Sequence, residues 1–303
     1  MNSHLFSMII CLSKESLEFK YYEKLILDFA DNFGYHIQLD GRPFEYKEIE
    51  KVLDLLKMQG IKEVGIRTSE KINSNIIEMI KKYSIRSLMF REKNEFLNYN
   101  IDFANKNNIP VEISVILQKD NIEKIDNIIE YYNKKKISLL VFERSIIAKY
   151  RNEYYNPLEP QDYKNIMKKI IEYNHLNTGM GIAISHCPNK ILLHKEEKYK
   201  NNIGGCSAGI VSCAISEYGD IIPCLPLYEI IVGNIKKDNI IELWNKSKIF
   251  NKLRDRTNIQ GKCKECEFLL SCGGCRAESY YETNNLFEED KTCWREEIWR
   301  KLQ

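Results

Sequence analysis

CKECEFLLSCGGC (263–275) holds four cysteines in one short stretch, and GCSAGIVSCAISEYGDIIPC (205–224) holds three more. Cys293 follows, so eight of the ten cysteines lie in the last third of the chain. A C-x2-C pair places two thiolates on one tight turn, and the glycines of GGC let the backbone turn sharply between two further thiolates. Eight thiolates are enough for two four-cysteine iron–sulfur clusters, which is the interpretation that we favour.

Zinc is the alternative ligand for the same cysteines. The spacing C-x2-C-x5-C-x2-C is compatible with a zinc module. The gap of five residues between the pairs is shorter than the roughly 15 to 20 residues that zinc ribbons use. The four remaining cysteines would also need a second zinc site, so the spacing favours iron over zinc without excluding zinc.

The bulk composition describes a globular protein with little net charge. Lys+Arg 45 against Asp+Glu 43 leaves +2, which argues against a nucleic-acid partner recognised through bulk charge. The longest apolar run near the N-terminus, residues 5–12, is too short to span a bilayer, and it has none of the flanking features of a signal peptide. We therefore expect a cytoplasmic protein, with no membrane partner and with metal-binding cysteines instead of disulfides.

Short apolar runs alternate with helical patterns in the N-terminal half. The runs predict strands at residues 5–12, 35–40, 62–68, 84–90, 110–117 and 137–143. The helical patterns cover residues 17–33, 48–60, 72–83, 96–108, 121–135 and 161–174, with Gly60 closing the second helix and Asp120 as a candidate N-cap. This repetition predicts parallel strands with right-handed crossovers. Six units give an open barrel or sheet, because a closed eightfold barrel needs two more.

A change in composition divides the chain into two predicted domains, residues 1–177 and 178–303. Residues 144–160 are polar and rich in tyrosine, and they predict a long surface connection. In the second domain, the apolar alternation around Tyr218-Gly219-Asp220 predicts a hairpin with a glycine turn. That hairpin would carry Cys213 and Cys224 on its two arms.

The order of these cysteine features resembles the SPASM domain of radical S-adenosylmethionine enzymes, which mature peptides, sulfatases and cofactors. The matching features are C-x12-G-x4-C, then C-x2-C-x5-C, then GGC and a distant final cysteine, with a helical link at residues 233–254. The spacing Cys272-x2-Cys275 departs from the usual x3 of the family. The resemblance implies one 4Fe–4S cluster on Cys206, Cys213, Cys224 and Cys275, and a second on Cys263, Cys266, Cys272 and Cys293. It gives no ligand role to Cys11 or Cys187.

The N-terminal half resembles the radical enzymes in its strand–helix units but not in their motifs. The implied fold is α/β, a partial (β/α)6 TIM-like barrel of radical S-adenosylmethionine type followed by the SPASM domain. Active members hold their catalytic cluster with C-x3-C-x2-C after the first strand, whereas residues 13–22 here contain no cysteine. Their GGEP motif is replaced by Asp40-Gly41-Arg42-Pro43, which reads as an ordinary turn between strand and helix. The resemblance therefore implies that S-adenosylmethionine is not bound.

These features predict a partner subunit in radical-based peptide or protein modification. Such a subunit would bind a substrate peptide or pass electrons to an active radical enzyme with which it forms a hetero-oligomer. Whether the chain is itself an enzyme stays open, because a maturase using an auxiliary cluster or an unusual site is one rival. A structural scaffold whose clusters only hold the fold is the other. No catalytic residue is predicted.

Overall fold

The computed structural model describes residues 4–175, 179–185 and 205–294. Its strands are β1 Ser7–Leu12, β2 His36–Gly41, β3 Glu63–Arg67, β4 Leu88–Arg91, β5 Val111–Ile116, β6 Leu139–Glu143, β7 Gly181–Ser185, β8 Ser212–Ile215, β9 Asp220–Ile222 and β10 Gly233–Asn234. Its helices are α1 Phe19–Asp31, α2 Ile49–Met58, α3 Ser74–Lys82, α4 Leu97–Lys106, α5 Ile125–Lys134, α6 Ile146–Tyr150, α7 Pro160–His175, α8 Ile240–Lys246, α9 Lys248–Arg254 and α10 Arg276–Thr283. All six predicted strands and all six predicted helices of the N-terminal half are confirmed.

Two compact units make up the chain. The first comprises Met1–Ser114, Lys135–Ser138 and Ser207–Arg254, and the second comprises Val115–Lys134, Leu139–Cys206 and Asp255–Gln303. The predicted domain boundary at residue 177 falls outside the described residues and stays a prediction. No helix in the described part of the chain is both long and apolar enough to cross a membrane.

The first unit is a mostly parallel sheet with helices in its crossovers. Its strand order is β10-β9-β8-β1-β2-β3-β4-β5, with parallel pairing from β8 through β5. Met8, Ile10 and Leu12 alternate on one face of β1 and are buried. Because every second residue of a strand faces the same side, this period places the apolar side chains in the core.

The predicted hairpin is confirmed in β8 and β9. The two strands pair antiparallel, and Gly219 between them has a φ of 86°, which favours glycine. β8 also pairs in parallel with β1, so that Cys213 stands opposite Met8. The sheet of the first unit therefore continues directly from the N-terminal strands into the cysteine-rich segment.

The second unit contains β6 paired in parallel with β7 and flanked by α7, which packs against β7. β7 was not predicted from the sequence. The predicted surface connection at 144–160 is wrong in its first part, because that segment forms α6 and begins with the fully buried Arg144. Asp120 is not the N-cap, because Asn121 takes that position before a 3-10 turn that leads into α5.

Candidate metal centre

The predicted ligands of the second cluster all lie in the second unit, where their thiols are electrostatic neighbours. Burial raises the pKa of Cys263, and Cys266 is among the groups that raise it further. Burial also raises the pKa of Cys272, and Cys263 and Cys293 add to that increase. The structure therefore brings these four cysteines, separated by up to 30 positions in sequence, into one neighbourhood.

The four predicted ligands of the first cluster divide between the two units. Within the second unit, Cys206 and Cys275 act on each other electrostatically, and burial raises the pKa of Cys275 to about 12. Within the first unit, Cys213 lies in β8 and Cys224 follows β9. Because Ala214 pairs with Ile222, both cysteines lie at the same end of the hairpin.

Glycines allow the backbone around the thiols to approach closely. Gly205 has a φ of 71°, and a Cβ atom added there would lie 1.9 Å from the carbonyl oxygen of Cys272. The neighbouring Cys206 N–H donates to that same oxygen over 3.1 Å. Gly273 and Gly274 also have positive φ values, 67° and 59°, as the predicted sharp turn requires. Glycine therefore holds the two cysteine stretches together in this unit.

Within residues 4–175, 179–185 and 205–294, no three side chains of His, Cys, Asp or Glu converge on a point that could hold a single metal ion. The structure gives proximity of the thiols, not the closed geometry of a single-ion site. Burial also raises the pKa of Cys213 to about 12. Such thiols are protonated at neutral pH, so iron must displace their protons when it binds.

Buried guanidinium groups surround the thiols of the second unit. Arg144 donates through both terminal nitrogens to Asp290 over 3.1 and 3.2 Å, and both side chains are fully buried. Burial alone would raise the pKa of Asp290, but the charge of Arg144 and several hydrogen bonds outweigh it and lower the pKa. Asp290 also accepts the backbone N–H of Cys275 over 2.8 Å. This ion pair therefore fixes the backbone of a predicted ligand.

Two further buried arginines, Arg256 and Arg276, lie beside the same thiols. Arg256 donates to the carbonyl oxygen of Cys206 over 3.2 Å and acts electrostatically on Cys206 and Cys272. Arg276 acts on Cys263. Buried cations need compensating negative charge. Four thiolates around an iron–sulfur core carry net negative charge, so the residues present fit such a cluster.

The first unit repeats this arrangement at Cys213. The guanidinium of Arg254 lies over the ring of Trp244 at 4.3 Å and acts electrostatically on the Cys213 thiol. Its Nε and Nη2 atoms are buried and have no hydrogen-bond partner among the described residues. Burial lowers the pKa of Arg254 to about 10, and the neighbouring Cys213 opposes that decrease. A thiolate ligand at Cys213 would supply the negative charge that this arginine lacks.

An ion pair occupies the carboxyl end of β2, where active radical enzymes carry GGEP. Asp40 accepts from Arg67 Nε over 2.8 Å and from Arg67 Nη2 over 2.6 Å, and Arg91 Nη2 lies 3.8 Å away. Burial raises the pKa of Asp40, but the charge and hydrogen bonds of Arg67 outweigh this effect and bring the pKa to about 2. Asp40 therefore stays ionised at neutral pH, with both oxygens engaged.

The predicted turn after β2 is confirmed. Pro43 is the first residue of a 3-10 turn, Pro43–Glu45, as expected for proline at the start of a helical turn. Arg42 points to solvent, where its Nη2 pairs with Glu45 at 2.5 Å. Arg42 is therefore a partner of a surface ion pair in this structure.

Sequence reasoning missed the charged residues that accompany the cysteines. Arg144 and Asp290 are separated by 146 positions, and nothing in their local sequence predicts that they pair. Arg276 could have been found, because a cation directly after a candidate ligand is a recognisable signal. Cys11 lies in β1 opposite Asp40, away from the predicted ligand sets in sequence. Cys187 lies outside the described residues.

Comparison with known proteins identifies the cysteine-rich segment. Residues 206–267 match the SPASM family, an iron–sulfur cluster-binding domain. The AdoMet-dependent heme synthase of Methanosarcina barkeri is 26% identical over 64% of this chain and 58% of its own length. A cysteine-type anaerobic sulfatase-maturating enzyme of Clostridium novyi is 26% identical over 58% of this chain and 49% of its own length. The chain thus spans about half the length of these two relatives, and about a quarter of other curated relatives that it matches.

Solved structures share the fold across almost the whole chain. Streptococcus suis SuiB bound to S-adenosylmethionine matches with a TM-score of 0.73 and 16% identity, over 96% of this chain and 75% of that one. The sulfatase-maturating enzyme anSMEcpe with bound AdoMet matches with a TM-score of 0.67 and 14% identity, over 98% of this chain and 96% of that one. Both are radical S-adenosylmethionine enzymes. The chain is therefore a SPASM-domain protein with the fold of the radical S-adenosylmethionine enzymes.

Proposed function

We propose that this chain is an iron–sulfur SPASM protein without a radical cluster of its own. It acts as a partner subunit in radical-based modification of a peptide or protein, where it binds the substrate peptide or transfers electrons. Its two 4Fe–4S clusters use the two sets of four cysteines described above. The single observation that carries the proposal is the absence of thiols from the loop in which a radical cluster would be held.

That loop joins β1 to α1 and consists of residues 13–18, SKESLE. A radical cluster needs three thiolates and one open iron, which chelates the amine and carboxylate of S-adenosylmethionine. The loop supplies none of the three. Cys11 in β1 is a single thiol, and burial strongly raises its pKa, so it cannot replace them. Without that cluster, this chain has no site for reductive cleavage of S-adenosylmethionine.

The ion pair at the end of β2 supports the same conclusion. An active enzyme needs a free carboxylate there for the ligand amine. The only carboxylate of the DGRP turn belongs to Asp40, which holds Arg67 through two hydrogen bonds and also accepts the N–H of Gly41 over 2.8 Å. A ligand amine would have to displace a buried guanidinium, which costs several kcal/mol.

The relatives support a peptide substrate in broad terms. SuiB has been solved with its precursor peptide SuiA, and anSMEcpe with an 18-residue-type peptide named Cp18Cys. Other relatives are mycofactocin maturases and heme synthases. These names differ in what is made, whereas the SPASM segment is common to the alignments. The common feature favours a cluster-based role for this chain over any particular substrate.

Incubation with S-adenosylmethionine tests the proposal. Anaerobically prepared protein should contain about eight irons and eight sulfides per chain, as two four-iron clusters require. With a strong reductant it should form no 5′-deoxyadenosine above a cluster-free control, while an intact radical enzyme in the same buffer does. Multiple-turnover formation by the isolated chain would refute the proposal and favour an active maturase. Stoichiometric zinc without sulfide would refute the cluster assignment.

Co-expression tests the partner role. The chain should form a stable heteromer with an intact radical enzyme encoded beside it, and the heteromer should modify the peptide substrate faster than that enzyme alone. Replacing the first-cluster ligand Cys224 with alanine should reduce this stimulation if electrons pass through the cluster. Full activity of the enzyme without this chain would contradict the partner role and leave a structural scaffold as the better explanation.

A further inference from the structure

Arg276 is the first residue of α10 and directly follows Cys275 in the sequence. Its side chain is 3% exposed, so its charge is held almost entirely away from water. A buried guanidinium is costly unless hydrogen bonds and an opposite charge compensate it. The surroundings of Arg276 provide the first kind of compensation only in part.

One nitrogen of Arg276 is fully engaged. Nη1 donates to the backbone carbonyl oxygens of Leu286 and Glu288, both over 2.8 Å. Nε and Nη2 are buried and have no hydrogen-bond partner among the described residues. A buried donor left without an acceptor costs about 1–3 kcal/mol, and more when it is charged. The two remaining donors therefore need an acceptor.

The nearest carboxylate is already occupied. Asp290 lies beside the same glycine as Arg276, because a Cβ atom added at Gly274 would lie 2.7 Å from Arg276 Nη2 and 2.7 Å from Asp290 Cβ. The oxygens of Asp290 accept from Arg144, from the backbone of Cys275 and from Thr292. Asp290 is thus committed to other donors.

The thiols are the other negative groups within reach. Arg276 acts electrostatically on Cys263, which belongs to the neighbourhood of Cys266, Cys272 and Cys293. Gly274 has no side chain to fill the space beside Arg276 Nη2. A cluster on these cysteines would present sulfur acceptors and net negative charge to the unpaired side of the guanidinium.

We propose that Arg276 is a positioning residue for the second cluster, donating Nε–H and Nη2–H to its sulfur atoms. This inference rests on the cluster ligands named in the proposed function. Hydrogen bonds to cluster sulfurs and nearby positive charge stabilise the reduced, more negative state. Arg276 therefore raises the reduction potential of the second cluster. It also retains the cluster, because loss of an outer partner typically weakens metal affinity about 10- to 100-fold.

Three variants separate this role from a general effect of charge. Arg276→Met removes the charge and the donors, and Arg276→Lys keeps the charge but loses the forked donor geometry. Lys264→Met is the control, because it removes one positive charge at an exposed position next to Cys263. Each variant is made with Cys224→Ala, which removes the first cluster and leaves only the second to be reduced.

The measurement is a redox titration followed by electron paramagnetic resonance, together with the rate of iron release to a chelator. Arg276→Met should shift the midpoint potential to more negative values and release iron about 10-fold faster. Arg276→Lys should fall between Arg276→Met and the parent. Lys264→Met should shift the potential much less, because solvent screens exposed charges.

Equal potentials in Arg276→Met and Lys264→Met, with iron retained, would overturn the inference. So would iron loss that is as complete in Arg276→Lys as in Arg276→Met, because it would make Arg276 a structural support for the carbonyls of residues 286 and 288. Absence of the second cluster from the parent protein would overturn both this inference and the cluster assignment. Cleavage of S-adenosylmethionine by the parent would refute the partner role alone and leave the role of Arg276 intact.

Discussion

Replacement of Asp40 with asparagine removes the carboxylate from a buried ion pair in the first unit. The side chains of Asp40 and Arg67 are 5% and 9% exposed, so solvent screens their interaction little. In Asp40→Asn the guanidinium of Arg67 stays buried without its partner. We expect the variant to fold with a lower free energy of unfolding, and two independent arguments give the size of the loss.

The first argument uses the pKa of Asp40. An unperturbed aspartate titrates near 3.9, whereas Asp40 titrates at about 2. A difference of this size corresponds to about 2.5 kcal/mol of stability at neutral pH. The second argument is that removing one partner of a buried pair costs about 3–5 kcal/mol. Asp40→Asn should therefore lose about 3 kcal/mol at pH 7.

Urea denaturation followed by circular dichroism measures this loss. The control is Glu45→Gln, which breaks the exposed pair with Arg42 and should cost at most about 1 kcal/mol. Because the folded pKa of Asp40 is depressed, its contribution is complete above about pH 4 and is lost as the pH falls towards about 2. The difference between wild type and Asp40→Asn should narrow over that interval. An unchanged urea midpoint for Asp40→Asn at pH 7 would refute the reasoning.

Three further changes probe the cysteine region and its supporting helices. Cys266→Ala should lose one cluster's iron together with local structure, measured by iron content and melting curve, because its neighbouring ligands organise a segment with little apolar core; full iron content would contradict the assignment. Gly205→Ala should destabilise the protein by more than 2 kcal/mol in urea, since its new Cβ would collide with the carbonyl of Cys272, and an unchanged midpoint would argue against this contact. Asn239→Ala should cost about 1 kcal/mol, because Asn239 caps α8 by accepting from Ile241 N–H and Glu242 N–H; an exposed substitution such as Lys246→Ala is its control.

The strand–helix half was predictable because its signals are local. Apolar alternation and helical periodicity repeat at short range, and each run needs only its own residues to declare its type. The hairpin was predictable for the same reason, since Gly219 stands between two alternating arms. β7 was missed because its five residues, GIAIS, form too short a run beside a change in composition.

The candidate site was only partly predictable. Cysteine spacing predicts ligands because thiolates on one turn must share a neighbourhood. The buried cations follow a different rule, because Arg144 and Asp290 meet only after the second unit has folded. Arg144 stands in a polar segment that resembles solvent-exposed sequence, and burial reverses that interpretation. Local pattern therefore identifies which residues can bind, whereas tertiary contacts decide which charges accompany them.

The pairing of β8 with β1 has a consequence for how this chain can be divided. A strand at the edge of a sheet exposes unpaired N–H and C=O groups and invites association with other chains. In the first unit, β8 covers the side of β1 that β2 does not, over Ser7 to Ile10. Excising the cysteine-rich segment would uncover a row of backbone donors and acceptors along β1. The hairpin that carries Cys213 is thus also a shield against aggregation for the oldest part of the sheet in chain order, which ties solubility of the N-terminal half to retention of the cluster-binding segment.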